Sequence, residues 1–341
     1  MCSVLLNIKQ LEVISIMKYR YLPGTGLQVS EISIGSMTFG RQMNEEDSIE
    51  AVHYAYEQGV NFYDTANIYP PRDGKISEEI LGKAVKPFRD HVILASKVGG
   101  PMSSDPNDHG ASRRHILSAI DGSLSRLDTD YLDLYYLHFS DPSVPAEAFI
   151  ETMNDLIHAG KILHYAVSNH SAWQMCELVH TAKEMNAIPP VATQSVYNLL
   201  TRGIEEEIVP FISKYKMGLM VFNPFAGGML TGKYASHAMP EGARMTIDQG
   251  YKQRYYSERN LEIIDKLAGI AADLGISLAE LSYQWILQKP YVTSIICGFT
   301  KLSQLKANLA ADEGYEKLQI PAEEINALWN ELTGNRFTYH R

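Results

Sequence analysis

Cysteine is scarce in this chain: three among 341 residues, at Cys2, Cys176 and Cys297, odd in number and far apart. That excludes a disulfide framework and a cysteine-based zinc motif, and it suits a reducing cytoplasm, the expected location. Eleven histidines are scattered with no His-Glu-x-x-His or paired-ligand spacing, so no metal site is expected. No apolar run reaches the ~18 residues of a membrane-spanning helix. Positive charge is in deficit: the formal charge is −10 and the pI about 5.6. This argues against general binding of nucleic acid or anionic membranes, while leaving room for a local basic pocket. Residues 1–16 lack a basic n-region and a small-residue cleavage site, and they carry Lys9 and Glu12. They are expected to be a dispensable extension before Met17, with an extra strand or helix as the alternative.

Hydrophobic residues make up 45% of the chain, enough for a sizeable core. Tyr19 to Leu22 and Leu27 to Val29 flank Pro23-Gly24-Thr25-Gly26 and read as a hairpin. Short apolar runs then alternate with helical stripes. The runs are Glu31 to Gly35, Val60 to Tyr63, His91 to Ser96, Tyr131 to Leu137, Ile162 to Val167, Val191 to Ser195, Gly218 to Phe222 and Val292 to Cys297. Strands buried on both faces look like this. Helices are expected over 45–58, 77–85, 112–127, 146–159, 172–185, 204–215, 258–274, 278–288 and 302–312, with an irregular insert over 223–256. Such alternation implies a parallel sheet. No Gly-x-Gly-x-x-Gly turn marks a doubly wound open sheet. The expected fold is α/β, a (β/α)8 TIM barrel over residues 17–341 as one domain, with an N-terminal β-hairpin and extra C-terminal helices.

Polar groups stand where these runs end. Asp64 follows Val60 to Tyr63, Tyr69 comes five residues later, Lys97 follows His91 to Ser96, and His138 follows Tyr131 to Leu137. In a parallel barrel, strand C-termini line the site. Singly, Asp64 could be a cap, Tyr69 or Lys97 a surface residue, and His138 a core residue; their joint placement favours a site. The chemistry is proton transfer to an oxygen. Free tyrosine has a pKa of about 10, and a nearby ammonium lowers it. Lys97 could do so, Asp64 could keep Lys97 charged, and His138 could orient a carbonyl. No side chain carries hydride, so a nicotinamide cofactor is implied.

At these residues the chain resembles the aldo-keto reductases, from Met17 to Asp312. Gly35-Ser36-Met37-Thr38-Phe39-Gly40 is similar to the family's first-strand signature, and Asn61-Phe62-Tyr63-Asp64-Thr65-Ala66 with Tyr69 to its strongest motif. His138-Phe139-Ser140-Asp141 is similar to the H-x-x-D pattern of the bacterial and channel-subunit branches. The resemblance implies Asp64, Tyr69, Lys97 and His138 as a catalytic tetrad with Tyr69 as proton donor. It implies cofactor contacts from Ser36, Met37 and Asp64, from Ser168, Asn169 and Gln194 at the nicotinamide carboxamide, and from Tyr197 near the ring. Phe222, Asn223, Pro224, Phe225, Ala226, Gly227, Gly228 and Leu230, with Lys233 and Arg244, resemble the pyrophosphate clasp. Gly298, Thr300, Gln304 and Asn308 resemble the adenosine-end motif.

Thr300 and Ala307 depart from common family choices at that end, but Lys233, Arg244 and Lys301 can supply positive charge to a 2′-phosphate. NADPH is the expected cofactor, with NADH as the alternative, and an aldehyde or ketone the substrate. Polar residues at 103–109 favour a hydroxylated, sugar-like compound. Two other functions compete: a cofactor-binding regulatory subunit with little turnover, and a barrel aldolase using Lys97 as a Schiff-base amine. Asp64 argues against the aldolase, because that amine must be neutral. The 251–256 stretch is expected to be a solvated loop or a lid. The oligomeric state is left open, and a protein partner goes with the regulatory-subunit alternative.

Overall fold

The computed structural model describes residues 17–70, 75–234, 239 and 243–334. The expected extension at 1–16 lies outside the described residues. Strands β1 (Tyr19–Tyr21) and β2 (Gln28–Ser30) form the antiparallel hairpin. The parallel strands follow: β3 (Ile32–Gly35), β4 (Phe62–Asp64), β5 (Ile93–Val98), β6 (Leu132–Leu137), β7 (Ile162–Ser168), β8 (Ala192–Val196), β9 (Gly218–Phe222) and β10 (Ser294–Cys297). They close in chain order, with β10 pairing both β9 and β3. The result is a (β/α)8 barrel, and each strand lies within about two residues of its expected bounds.

Side-chain alternation sorts the core into two parts. Phe62, Ile93, Ala95, Leu134, Tyr136, Ala166, Ala192, Met220 and Ile296 fill the barrel interior. Leu22 and Val29 join that cluster, so the hairpin closes one end of the barrel. The intervening residues, such as Tyr63, Leu94, Tyr135 and Tyr165, pack against the helices. Register carries the inward positions to the other end. Asp64 is level with Ala95, Lys97 with Tyr136, and Ser168 with Gln194. The inward position at each of these strand ends is therefore polar and faces the mouth.

Helix starts follow local capping. Asn44 accepts from Asp47 N at 2.8 Å, and Ser277 with Glu280 forms a capping box. Three expectations need correction. The helix expected over 204–215 is a 3-10 turn at Gly203–Glu205 followed by a helix at Ile208–Tyr215. Pro210 has no N–H to donate backward, so it is tolerated only in a helix's first turn. The insert is not wholly irregular: it holds a 3-10 segment (Ala226–Thr231) and helices Arg244–Ile247 and Gln249–Tyr255. The 251–256 stretch is accordingly not a solvated loop. Asp248 caps its helix by accepting from Gly250 and Tyr251, and Tyr255 is buried. A C-terminal helix, Ala322–Thr333, carries Ile325, Leu328 and Leu332 on one stripe and packs on the helix Glu258–Asp273.

Candidate active site

Asp64, the last residue of β4, and Lys97, near the end of β5, are both buried at the barrel mouth. Lys97 Nζ donates to Asp64 Oδ1 and, at 2.7 Å, to the Thr65 carbonyl. Gln194 Nε2 donates to Asp64 Oδ2 at 2.9 Å. Burial pushes the Asp64 carboxyl up and the Lys97 ammonium down, and the contact between them opposes both shifts. An unpaired charge in this place would be costly, and the pair with its added donors satisfies both groups.

Tyr69 is half-buried above this pair, with Lys97 Nζ 5.1 Å from its ring centroid. His138 follows β6 and meets the Tyr69 ring edge-on at 5.8 Å between centroids. The tetrad residues expected from the sequence are thus brought together. The expected direction of the tyrosine shift is reversed, however. Burial, then the Asp64 charge, pushes the Tyr69 phenol well above its usual range. Lys97 does not offset this, because its charge is already matched by Asp64. Burial and the Lys97 charge push His138 down to about 3, so its imidazole is neutral at ordinary pH. The Phe139 ring stacks on His138 at 4.3 Å and is exposed on the far side.

Beyond the tetrad, Ser168 Oγ donates to the Gln194 carbonyl at 3.0 Å, and Asn169 Nδ2 donates to the His138 carbonyl at 3.0 Å. Both sit at the β7 exit beside the tetrad. Ser36 is buried at the β3 exit and accepts from Ser77, while Met37 is half-buried. Tyr197 is set back: its ring packs on Trp285 at 4.9 Å, and its hydroxyl bonds Glu205 and Tyr291. Phe222, half-buried at the β9 exit, instead lines a cavity of about 580 Å³ with Asn169, Val196, Arg254 and Trp329.

The insert after β9 builds a basic cradle. Asn223 Oδ1 accepts from Gly227 N at 2.6 Å and ties the turn, while Pro224, Ala226 and Leu230 are buried beneath it. Phe225 packs on Tyr283 at 4.8 Å. Gly227 and Gly228 have φ of +68° and +96°. A Cβ on Gly227 would fall 2.6 Å from Tyr251, and one on Gly228 2.7 Å from Lys233 Nζ. Only glycine lets these side chains lie against the backbone. Burial, and then the nearby Arg244 charge, push the Lys233 ammonium down, and among the described residues neither has a carboxylate partner. Two neighbouring cations beside glycine amides suit a phosphate.

The adenosine-end residues divide. Gln304 Oε1 accepts from Thr300 N at 2.8 Å beside the exposed Gly298. Asn308 is buried and donates to Cys297 Sγ at 3.2 Å, so it braces the strand end. Residue-by-residue reading missed Tyr136, which is level with Lys97, and the role of Asp141. Asp141 accepts from Ala111 N at 2.8 Å and from Ser143, binding the loop after β5 to the loop after β6. The H-x-x-D spacing was the available signal for it.

The chain matches the model of the Aldo/keto reductase family over residues 31–330. It is 36% identical over 305 residues to a probable voltage-gated potassium channel subunit beta of Oryza sativa subsp. japonica, covering 86% of this chain and 91% of that protein. It is 35% identical over 307 residues to a protein of the same name from Arabidopsis thaliana, with the same coverages of 86% and 91%. It is 32% identical over 321 residues to Protein tas of Escherichia coli (strain K12), covering 86% and 92%. With its closed barrel and this match along most of its length, the chain belongs to the aldo/keto reductase family.

Proposed function

We propose that this protein is an NADP(H)-dependent oxidoreductase that reduces an aldehyde or ketone to the alcohol, with Tyr69 as proton donor. Family membership supports oxidoreductase chemistry on carbonyl compounds. The observation that carries the reading is the meeting of Tyr69, His138 and the Asp64–Lys97 pair at one barrel mouth. A bound reduced nicotinamide supplies hydride to the carbonyl carbon. Ser168, Asn169 and Gln194 would hold its carboxamide, and the Gly227–Gly228 turn with Lys233 and Arg244 would hold its phosphates. Lys233, Arg244 and the exposed Lys301 offer positive charge to the 2′-phosphate that NADPH carries and NADH lacks. His138, neutral, orients the carbonyl oxygen by hydrogen bonding. Tyr69 then releases its proton to the developing alkoxide. Its raised pKa keeps that proton in place until the oxygen becomes basic, and the nearby Arg244 charge, which lowers the phenol's pKa, favours the phenolate left behind.

The relatives named as potassium channel subunits favour a second reading, a cofactor-binding regulatory subunit with little turnover. A Schiff-base role for Lys97 is not supported, because its amine is engaged by Asp64 and the Thr65 carbonyl. The test is absorbance at the nicotinamide band with a broad carbonyl panel and each cofactor. Turnover with NADPH exceeding that with NADH supports the reductase. Tight NADPH binding with no turnover across the panel favours the regulatory reading.

A further inference from the structure

Lys97 and Tyr136 are register partners on β5 and β6, and both face the barrel interior. Lys97 is wholly enclosed. Its ammonium has three N–H donors. Two acceptors are in place, Asp64 Oδ1 and the Thr65 carbonyl. Two aromatic rings also flank Nζ, with the Tyr69 ring centroid at 5.1 Å and the Tyr136 ring centroid at 5.7 Å. Both lie within the reach of a cation–π contact, which strengthens when water is excluded. Tyr69 must engage substrate during turnover. Tyr136 is buried in the interior and cannot leave.

The identity of residue 136 is also unexplained by packing. Its hydroxyl is buried near the Gln194 side chain, and among the described residues it makes no well-formed hydrogen bond. A phenylalanine would fill nearly the same space without enclosing that polar atom. A phenol, however, presents a more electron-rich face to a cation.

We propose that Tyr136 is a positioning residue whose ring face keeps the Lys97 ammonium charged and fixed beneath Tyr69. This rests on the reading of Lys97 as part of the catalytic tetrad. The other groups that set the charge of Lys97 are Asp64 on β4, Glu78 on the helix Ile76–Val85, and, with opposite effect, His138 beyond β6. The Tyr136 hydroxyl does act on Asp64 and Gln194, but Tyr136→Phe removes it once, and every fluorinated member is compared with that phenylalanine.

The test replaces Tyr136 with phenylalanine and then with mono-, di- and trifluorinated phenylalanines, which empty the ring face at nearly constant size. Folding is therefore not at stake, as it would be for Tyr136→Ala. The readout is the titration of Lys97 itself, followed through 13C-labelled lysine Cε resonances and assigned by the signal missing in Lys97→Met. The expected result is a stepwise fall in the Lys97 pKa with each fluorine, about tenfold in ionisation constant across the series. The high-pH limb of kcat should move down in parallel. A flat titration series overturns the proposal. A falling series in a protein that reduces no carbonyl would sustain the contact and remove the reductase reading instead.

Discussion

Gln194 Nε2 lies 2.9 Å from Asp64 Oδ2, joining residues 130 positions apart across the barrel mouth. The carboxylate that holds Lys97 through one oxygen is thereby tied to β8 through the other. Nε2 has a second N–H, and Oε1 has open lone pairs. The same amide can thus brace Asp64 and meet a carboxamide. Replacing Gln194 by Leu should cost about 2 kcal/mol of stability, as expected for a hydrogen bond to a charged group. It should also weaken NADPH binding by roughly tenfold, the equivalent of about 1.4 kcal/mol. Urea unfolding and fluorescence titration check the two effects separately.

The Asp64–Lys97 pair should show strong coupling. Asp64→Asn leaves a buried ammonium without its counter-ion, and Lys97→Met leaves a buried carboxylate. Each single change should destabilise by about 3–5 kcal/mol. The double variant should lose much less than their sum, because neither charge is then stranded. Additive losses in a double-mutant cycle would show that the pair is not enclosed as described.

His138 should leave a pH signature in stability rather than in neutral-pH rates. Its imidazole is pushed from the ordinary value near 6.5 down to about 3. Between those values the unfolded chain binds the proton and the folded chain does not. Stability should therefore fall as pH drops from about 6.5 toward 3. Thermal unfolding of His138→Gln over that window should show a shallower decline than the parent protein.

Much of this architecture was readable because a barrel strand is apolar on both faces, so its limits stand out against polar loops. Asp64, Lys97 and His138 were legible for the same reason, each being the first ionisable group at a strand exit. What could not be read depended on register and burial. Nothing in the local sequence places Tyr136 level with Lys97, or Gln194 against Asp64. The upward shift of Tyr69 follows from enclosure, which residue type alone does not reveal. The short helices of the insert were hidden by polar composition, and Pro210 moved a helix start.

Asp312 tests the electrostatics away from the site. Burial, then the neighbouring Glu31, pushes its carboxyl up to about 6. A raised folded-state value means its favourable contribution is full below the unfolded value of about 3.9 and lost as pH rises through 6. Asp312→Asn should therefore raise the unfolding temperature at pH 8, by about 1 kcal/mol in stability after screening. It should change little at pH 4. An equal effect at both pH values would contradict the shift.

The most direct test is Tyr69→Phe, which removes one oxygen and leaves the ring over Lys97. With an active carbonyl substrate, kcat should fall by about 10²–10⁴-fold, the span of general-acid catalysis. NADPH affinity, read by fluorescence titration, should stay within about twofold, since the substitution keeps the ring and removes no charge at neutral pH. Turnover that survives in Tyr69→Phe at near-parental rate, or a matching collapse of NADPH binding, would contradict the account.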